Sequence, residues 1–293
     1  MVPDKKNSEL DALISLLDEP DISIFTKVRE RLFSYGADAI PVLEDAWGHS
    51  FDDIIQKRIE EIIHSIQLNN LYTDLANWRA NHVEDLLKGF ILISKYQYPD
   101  MDEKKIIGQI GQIIQDVWLE LNQNLTPLEK IKVINHILFD VHKFAGNKSN
   151  MQNPQNSYLK DVLETKKANP ISLSIIFMVV AQSLNVPVYG INLPQNFIMA
   201  YTDRMHQEEP EFARDDVQFY INAFNKGAVF TKREVGLFIR QMNLKDNDSY
   251  YAPCDNVTII DRVINNLIFS YEDSGNPDKV QELKKLQKAL FVR

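Results

Sequence analysis

Apolar residues recur at helical spacing through the first 70 residues of the chain. In the first stretch they fall at i, i+3, i+4 and i+7, which places them on one face of a helix. Three more stretches of this kind follow, and Pro20 and Gly36 mark breaks between them. Short helices with a single apolar face cannot bury it alone, so we predict that they stack into a helical N-terminal layer. The first stripe consists of Leu10, Leu13, Ile14 and Leu17.

Part of this region resembles a HEAT-type helical repeat. The resemblance lies in LISLLDEPDISIFTKVRERLFSYGADAIPVLEDAW, where the spacing of apolar residues covers about one and a half repeats. It implies a HEAT-like region over residues 1–70. Such a region either presents a surface to another protein or serves as a packing spacer, and the sequence leaves both roles open.

A nearly uncharged segment begins at Asn169-Pro170, a pair typical of a helix N-cap followed by a first-turn proline. The helix that it opens, about residues 170–184, is apolar on nearly all faces and is therefore predicted to be central. Short runs rich in β-branched and aromatic residues follow over about residues 187–222. We predict that they are strands of a small antiparallel sheet packed on the central helix.

A family resemblance lies in the stretch NSYLKDVLETKKANPISLSIIFMVVAQSLNVPVYGINLPQNFIMAY, followed by VQFYINAFNKGAVFTKREV. Together they resemble the transglutaminase-like domain of SirB-type bacterial proteins, because NSYL, NPISLS, LNVPVYGINLP and FYINAFNKG occur in this order. With the helices before it, the similarity covers roughly residues 71–245. It implies a mainly α (α+β) chain, with the helical N-terminal layer packed on a transglutaminase-like core that carries a small antiparallel β-sheet.

The resemblance also implies where a catalytic triad would lie. Active enzymes of this superfamily use a cysteine at the start of the central helix, a histidine on the next strand and an aspartate on a further strand. The matching positions here hold Pro170, Asn196 and Asn222. Neither proline nor asparagine can act as a nucleophile or a proton shuttle at neutral pH, and triad members act as a unit. The resemblance therefore implies a degenerate triad and a pseudoenzyme.

Two classes of function follow from this reading. The first is a non-catalytic interaction or scaffold protein, in which Asn169, Pro170, Ser172, Asn196 and Asn222 line a vestigial cleft. The amides of the three asparagines could bind a peptide there, or they could satisfy only the local backbone. The second class is an enzyme of acyl transfer or peptide hydrolysis that uses an atypical nucleophile.

The candidates for such a nucleophile are Cys254 and Ser172. Cys254 precedes a predicted helix, whose N-terminus can activate a thiol, although a structural cysteine fits the position as well. Ser172 and Ser174 lie near the start of the central helix without a base in the motif. The only histidine in the C-terminal half is His206, upstream of Cys254.

Residues 246–293 are again helical by pattern. The stretch NNLIFSYEDSGNPDKVQELKKLQKAL resembles a single tetratricopeptide-type hairpin, with its turn at Gly275-Asn276-Pro277. A lone hairpin of this kind either caps its own domain or grips the tail of a partner.

The composition limits the classes of partner that the chain is expected to bind. The chain has 293 residues with 32 basic and 41 acidic side chains, a net charge of −9, and no clustered basic surface that would bind nucleic acid. No apolar run approaches the length that spans a bilayer, so we expect no membrane association. We therefore expect a protein or peptide partner.

The cysteine and histidine content limits the disulfides, metal sites and compartment that we expect. One cysteine excludes an internal disulfide and a cysteine metal cluster, and it favours a reducing, cytoplasmic compartment. The six histidines are scattered, without a metal-binding motif. We expect neither a metal nor another cofactor.

Overall fold

A computed structural model of the chain describes residues 5–203 and 216–291. It divides into two compact units, Met1–Asp74 and Leu75–Arg293. Within the described residues, helices dominate and the main sheet is antiparallel and small, so the predicted mainly α (α+β) class is confirmed. None of the helices given below combines the length and the apolar character that crossing a lipid bilayer requires.

The N-terminal unit is a stack of short helices around one apolar core. Asp21 caps the second of them, because its Oδ1 accepts the Ser23 N–H at 2.8 Å. The helices are α1 (Lys5–Ile14), α2 (Ile22–Ser34), α3 (Ile40–His49) and the first part of α4 (Asp53–Asn81). Helix α4 continues without a break past Asp74, so the boundary expected near residue 70 falls inside it. The core consists of Leu10, Leu17, Val28, Leu32, Ala39, Leu43, Ile59, Ile62 and Ile66.

The second unit contains the remaining helices. Two of them begin with capping boxes that the sequence displays: Thr126 with Glu129, and Thr231 with Glu234, each exchange side-chain and backbone hydrogen bonds. The helices are α5 (Leu86–Lys95), α6 (Glu103–Glu120), α7 (Pro127–Asn135), α8 (Leu159–Thr165), α9 (Pro170–Ser183), α10 (Lys232–Gln241), α11 (Asn256–Asp273) and α12 (Pro277–Ala289).

In the described part of this unit, six short strands form two sheets. In the smaller sheet β1 and β2 are parallel, and the larger sheet has the antiparallel order β3-β4-β5-β6. Its register pairs Val188 with Tyr201 and Met199 with Ile221. The strands are β1 (Ala145–Gly146), β2 (Lys167–Ala168), β3 (Val188–Ile191), β4 (Ile198–Thr202), β5 (Val217–Asn222) and β6 (Ala228–Phe230).

The last of these strands, β6, lies beyond residues 187–222, where the sequence predicts the strands of the antiparallel sheet. A tight turn after β5 reverses the chain within five residues, with Lys226 and Gly227 both at positive φ. Three residues are too few to show an alternating pattern. Strand β6 therefore becomes visible only through its pairing with β5.

Helix α9 lies at the centre of the second unit. Every side chain from Ile171 to Ala181 is buried, as an uncharged helix requires. It contacts β3 and β4 on one side and α5, α6 and α11 elsewhere. Strand β4 is buried throughout, because Val235 and Ile239 of α10 pack with Ile198 and Ala200 on the other side of the sheet.

The C-terminal hairpin belongs to the core of the same unit. Helices α11 and α12 pack on each other, and α11 also contacts α5 and α9. Two tyrosines join it to earlier segments: the hydroxyls of Tyr158 and Tyr271 lie 3.0 Å apart, and Tyr96 donates to Glu282 at 2.7 Å. The hairpin therefore contributes to folding of the unit.

Gly190 of β3 is packed so closely by neighbouring side chains that there is no room for a Cβ atom. A Cβ atom added there would lie 2.6 Å from the Phe197 ring and 3.1 Å from Ile259. Gly190→Ala should therefore lower the free energy of unfolding by about 1–3 kcal/mol through overpacking. Urea denaturation followed by circular dichroism measures this change.

The matched control is Gly111→Ala in α6, where an added Cβ meets nothing within 4 Å. That substitution should raise the free energy of unfolding by about 0.5–1 kcal/mol, because glycine is a poor helix former. Equal effects of the two substitutions would contradict the close approach at Gly190.

Candidate functional site

The N-terminus of α9 is held by a buried asparagine. Asn169 accepts the Ser172 N–H at 3.0 Å through Oδ1 and donates to the Ser157 hydroxyl at 2.8 Å through Nδ2. Pro170 follows as the first helical residue, where its missing N–H leaves no donor unsatisfied. Both ends of the Asn169 amide are therefore engaged within the protein.

The NSYL motif supports this helix start. Asn156 accepts from Asn147 at 2.9 Å and donates to the carbonyl of Asn150 at 2.7 Å. Ser157 receives the Asn169 amide, and the Leu159 N–H donates to Ser94 at 2.6 Å. Through these contacts the asparagine-rich segment before α8 supports the start of α9.

Asn196 lies in the loop between β3 and β4. Its Oδ1 accepts the N–H of the next residue, Phe197, at 2.9 Å, and its own N–H donates to Leu193 at 3.2 Å. The neighbouring Gln195 has φ +58°, a conformation that favours glycine. Asn196 is half-buried, and its Nδ2 has no hydrogen-bond partner within residues 5–203 and 216–291.

Asn222 ends β5 and begins the following turn. Its Oδ1 accepts the Asn225 N–H at 3.2 Å, and its carbonyl accepts the Gly227 N–H at 2.9 Å. As at Asn196, the acceptor atom of the side chain serves the local backbone. The Nδ2 donor of this half-buried residue is likewise without a partner in the described part of the chain.

The topology brings these positions to one end of the sheet. Only residues 184–187 separate α9 from β3, so β3 runs back along α9 towards the helix N-terminus. The antiparallel pairing then places the start of β4 and the end of β5 at the same end. The turn after Asn222 contacts α9, and its Phe224 ring lies against Gly146, whose strand partner is Ala168.

Neither serine near the start of α9 is hydrogen-bonded to a base within the described residues. The Ser172 side chain is buried, and its hydroxyl has no hydrogen-bond partner in the described residues. Ser174 donates to the carbonyl of Pro170 at 2.9 Å. A serine nucleophile needs a base that accepts its proton, and neither hydroxyl donates to one within the described chain.

Cys254 lies just before α11 and is pinned to β3, because its N–H donates to the Gly190 carbonyl at 2.8 Å. Burial raises the pKa of its thiol to about 12, and the negative charge of Asp255 acts in the same direction. The thiol is therefore protonated at neutral pH, which opposes a nucleophilic role.

Helix α11 also contacts the loop that carries Asn196. Arg262 Nη1 donates to Asn192 Oδ1 at 3.1 Å, and both side chains are half-buried. Sequence reasoning missed this pair, because the two residues are 70 positions apart. The available signal was a lone basic residue in the apolar pattern of IIDRVINNLIF.

Metal ligation has no support in the described residues, which contain no group of three or more His, Cys, Asp or Glu side chains arranged around a cation. His206, the only histidine in the C-terminal half of the sequence, lies outside the described residues.

The family of the core follows from a comparison with known families. Residues 104–265, more than half of the chain, match the family model of the transglutaminase-like superfamily. The chain belongs to that superfamily.

Named relatives are similar at modest identity. The mouse F-box only protein 21 is 27% identical over 241 residues, which are 74% of this chain and 37% of that protein. The chain thus spans little more than a third of the length of that relative. A UPF0162 protein of Xylella fastidiosa strain 9a5c is 26% identical over 201 residues, covering 66% of this chain and 67% of the relative. No solved structure matches the chain.

Alkylation tests the state of Cys254. With a thiol pKa of about 12, iodoacetamide should label the native protein at pH 7.5 at least ~100-fold more slowly than free cysteine. The rate should rise about tenfold per pH unit below that pKa, because only the thiolate reacts. Mass spectrometry follows the labelling.

The control is the same protein unfolded in guanidinium chloride, in which the exposed thiol should react at the ordinary rate. Rapid labelling of the native protein at pH 7.5 would show that the thiol is activated and would restore Cys254 as a nucleophile.

Proposed function

We propose that this chain is a non-catalytic protein-interaction or scaffold protein, built on a transglutaminase-like fold whose Cys-His-Asp triad is degenerate. The observation that carries the proposal is the set of residues at the triad positions, Pro170, Asn196 and Asn222, together with the bonds that they make. Proline has no side-chain nucleophile, and an asparagine amide does not transfer protons at neutral pH.

The environment of the alternative nucleophiles supports the same view. The Ser172 hydroxyl is buried without a partner among the described residues, and the Cys254 thiol is held protonated by burial. An enzyme of acyl transfer or peptide hydrolysis that uses either residue remains the alternative. It would need a base to approach one of them on substrate binding.

The ligand that suits the site is a peptide. Asn196 and Asn222 each use the side-chain oxygen on the backbone and leave the Nδ2 donor without a described partner. Two amide donors at one end of a sheet suit hydrogen-bond acceptors, such as the carbonyl oxygens of an extended peptide. Asn169, by contrast, acts as the helix cap beneath them.

The proposal extends to the flanking regions and the setting. Residues 1–70 are a HEAT-like region, residues 246–293 are a tetratricopeptide-like hairpin, and the core belongs to the SirB-type branch. The partner is a protein or peptide and neither nucleic acid nor membrane, in keeping with the net charge of −9. The single cysteine suits a reducing cytoplasm.

Turnover separates the two classes of function. Incubation with glutamine-containing peptides and a primary amine should release no ammonia above the rate in buffer, because no residue at the triad positions can form an acyl intermediate. Ser172→Ala and Cys254→Ser variants should be indistinguishable from the parent protein. Ammonia release that disappears in one of these variants would establish the enzyme instead.

Peptide binding tests the site. A peptide selected from a random display library on the parent protein should bind an Asn196→Ala/Asn222→Ala variant at least ~10-fold more weakly, because two hydrogen bonds are lost. Fluorescence anisotropy with the labelled peptide measures the affinity.

The matched control is Asn247→Ala, which removes an exposed asparagine whose side chain also caps a short turn. Its affinity for the peptide should be unchanged. If the double variant binds each selected peptide as tightly as the parent does, this end of the sheet is not the binding surface.

A further inference from the structure

Arg262 is a half-buried cation whose hydrogen-bonding capacity is largely unused within the described residues. Its one hydrogen bond to the described residues runs from Nη1 to Asn192 Oδ1 at 3.1 Å. It forms no ion pair with a carboxylate in residues 5–203 or 216–291, in a chain that has 41 acidic side chains and only 32 basic ones. A guanidinium carries five N–H donors, so four of them are left over here.

The carboxylates closest in sequence accept hydrogen bonds from other residues. Asp261 accepts from Gln287 at 2.8 Å and from Asn265 at 2.9 Å. Asp255 caps α11 by accepting the Thr258 N–H at 2.8 Å. Burial lowers the pKa of Arg262, and the negative charge of Asp261 acts in the opposite direction.

Through Asn192, Arg262 contacts the loop that carries Asn196, a residue of the proposed peptide site. Asn192 follows β3 and opens the loop that carries Asn196, at the same end of the sheet as Asn222. The loop is fixed on both sides, by the Cys254 N–H on Gly190 and by the Asn196 N–H on Leu193. Helix α11 and the hydrogen bond to Asn192 therefore place the guanidinium beside this loop.

We propose that Arg262 is the recognition group for a carboxylate of the peptide partner, with Asn192 orienting the guanidinium and Asn196 supplying a neighbouring donor. This inference rests on the proposed peptide-binding function and names the chemistry of its ligand. A guanidinium forms two parallel hydrogen bonds to a carboxylate, which a lysine cannot reproduce. The carboxylate is supplied by an acidic side chain or by the C-terminus of the partner.

Three small probes test the proposal on the full chain. N-acetylglutamate α-methylamide carries only a side-chain carboxylate, N-acetylalanine only a terminal one, and N-acetylglutamine α-methylamide neither. The readout is the NMR shift of the Arg262 Nε–H and of the Asn192 and Asn196 side-chain amides. We expect saturable shifts with at least one carboxylate probe and none with the neutral probe, and the carboxylate that binds identifies the source.

Substitutions show whether the NMR shifts depend on Arg262. R262Q should reduce the shifts of the two asparagine amides at least fivefold at the same probe concentration. R262K should reduce them at least twofold, because lysine keeps the charge but cannot form two parallel hydrogen bonds to a carboxylate. The matched control is R240Q, which removes an exposed arginine of α10 with the same change in net charge. It should leave the shifts unchanged.

Several results would overturn the proposal: no shift with either carboxylate, equal shifts with the neutral probe, or full shifts in R262Q. If R262Q fails to fold, the shifts measured with R262K test the proposal instead, because lysine keeps the aliphatic stem and the charge. Peptide binding that depends on Asn196 and Asn222 but is unchanged in R262K and R262Q would refute the role of Arg262 and leave the proposed function standing. Ammonia release in the turnover assay would refute the proposed function without altering these titrations.

Discussion

The second unit depends on the burial of one helix that has no polar face. Helix α9 offers apolar side chains in every direction from Ile171 to Ala181, so water must be excluded from its whole circumference. A sheet can cover only one side, and α5, α6 and α11 cover the rest. Because these elements come from distant parts of the chain, the helix start is positioned by packing of the whole unit rather than by local sequence.

Burial of the helix start in turn dictates which polar groups can lie there. A buried polar group without a partner costs about 1–3 kcal/mol, so the donors and acceptors around Asn169 are connected to one another through Ser157 and the NSYL segment. The Ser172 hydroxyl is an exception within the described residues. Asparagine suits such a position because it offers a donor and an acceptor on one short side chain, whereas a reactive thiolate there would need stabilising charge.

Local patterns account for much of the fold and for less of the site. The uncharged composition of α9 and the Asn169-Pro170 pair predict a central helix, and threonine–glutamate spacing predicts two other helix starts. Strand β6 and the Asn192–Arg262 contact could not be predicted, because three residues show no period and a pair 70 positions apart leaves no local trace. The sequence also does not reveal which end of an asparagine amide is used by the backbone.

Burial near the start of α11 disfavours the charged form of two side chains, Cys254 and Arg262, but with different outcomes. Removing water from Cys254 favours its neutral form, and the pKa rises to about 12. Removing water from Arg262 also disfavours charge, yet a guanidinium starts from so high a pKa that it stays protonated. Low polarity therefore suppresses nucleophilic chemistry while it strengthens the attraction between the remaining cation and an incoming carboxylate. Such an environment suits recognition of a ligand better than its chemical conversion.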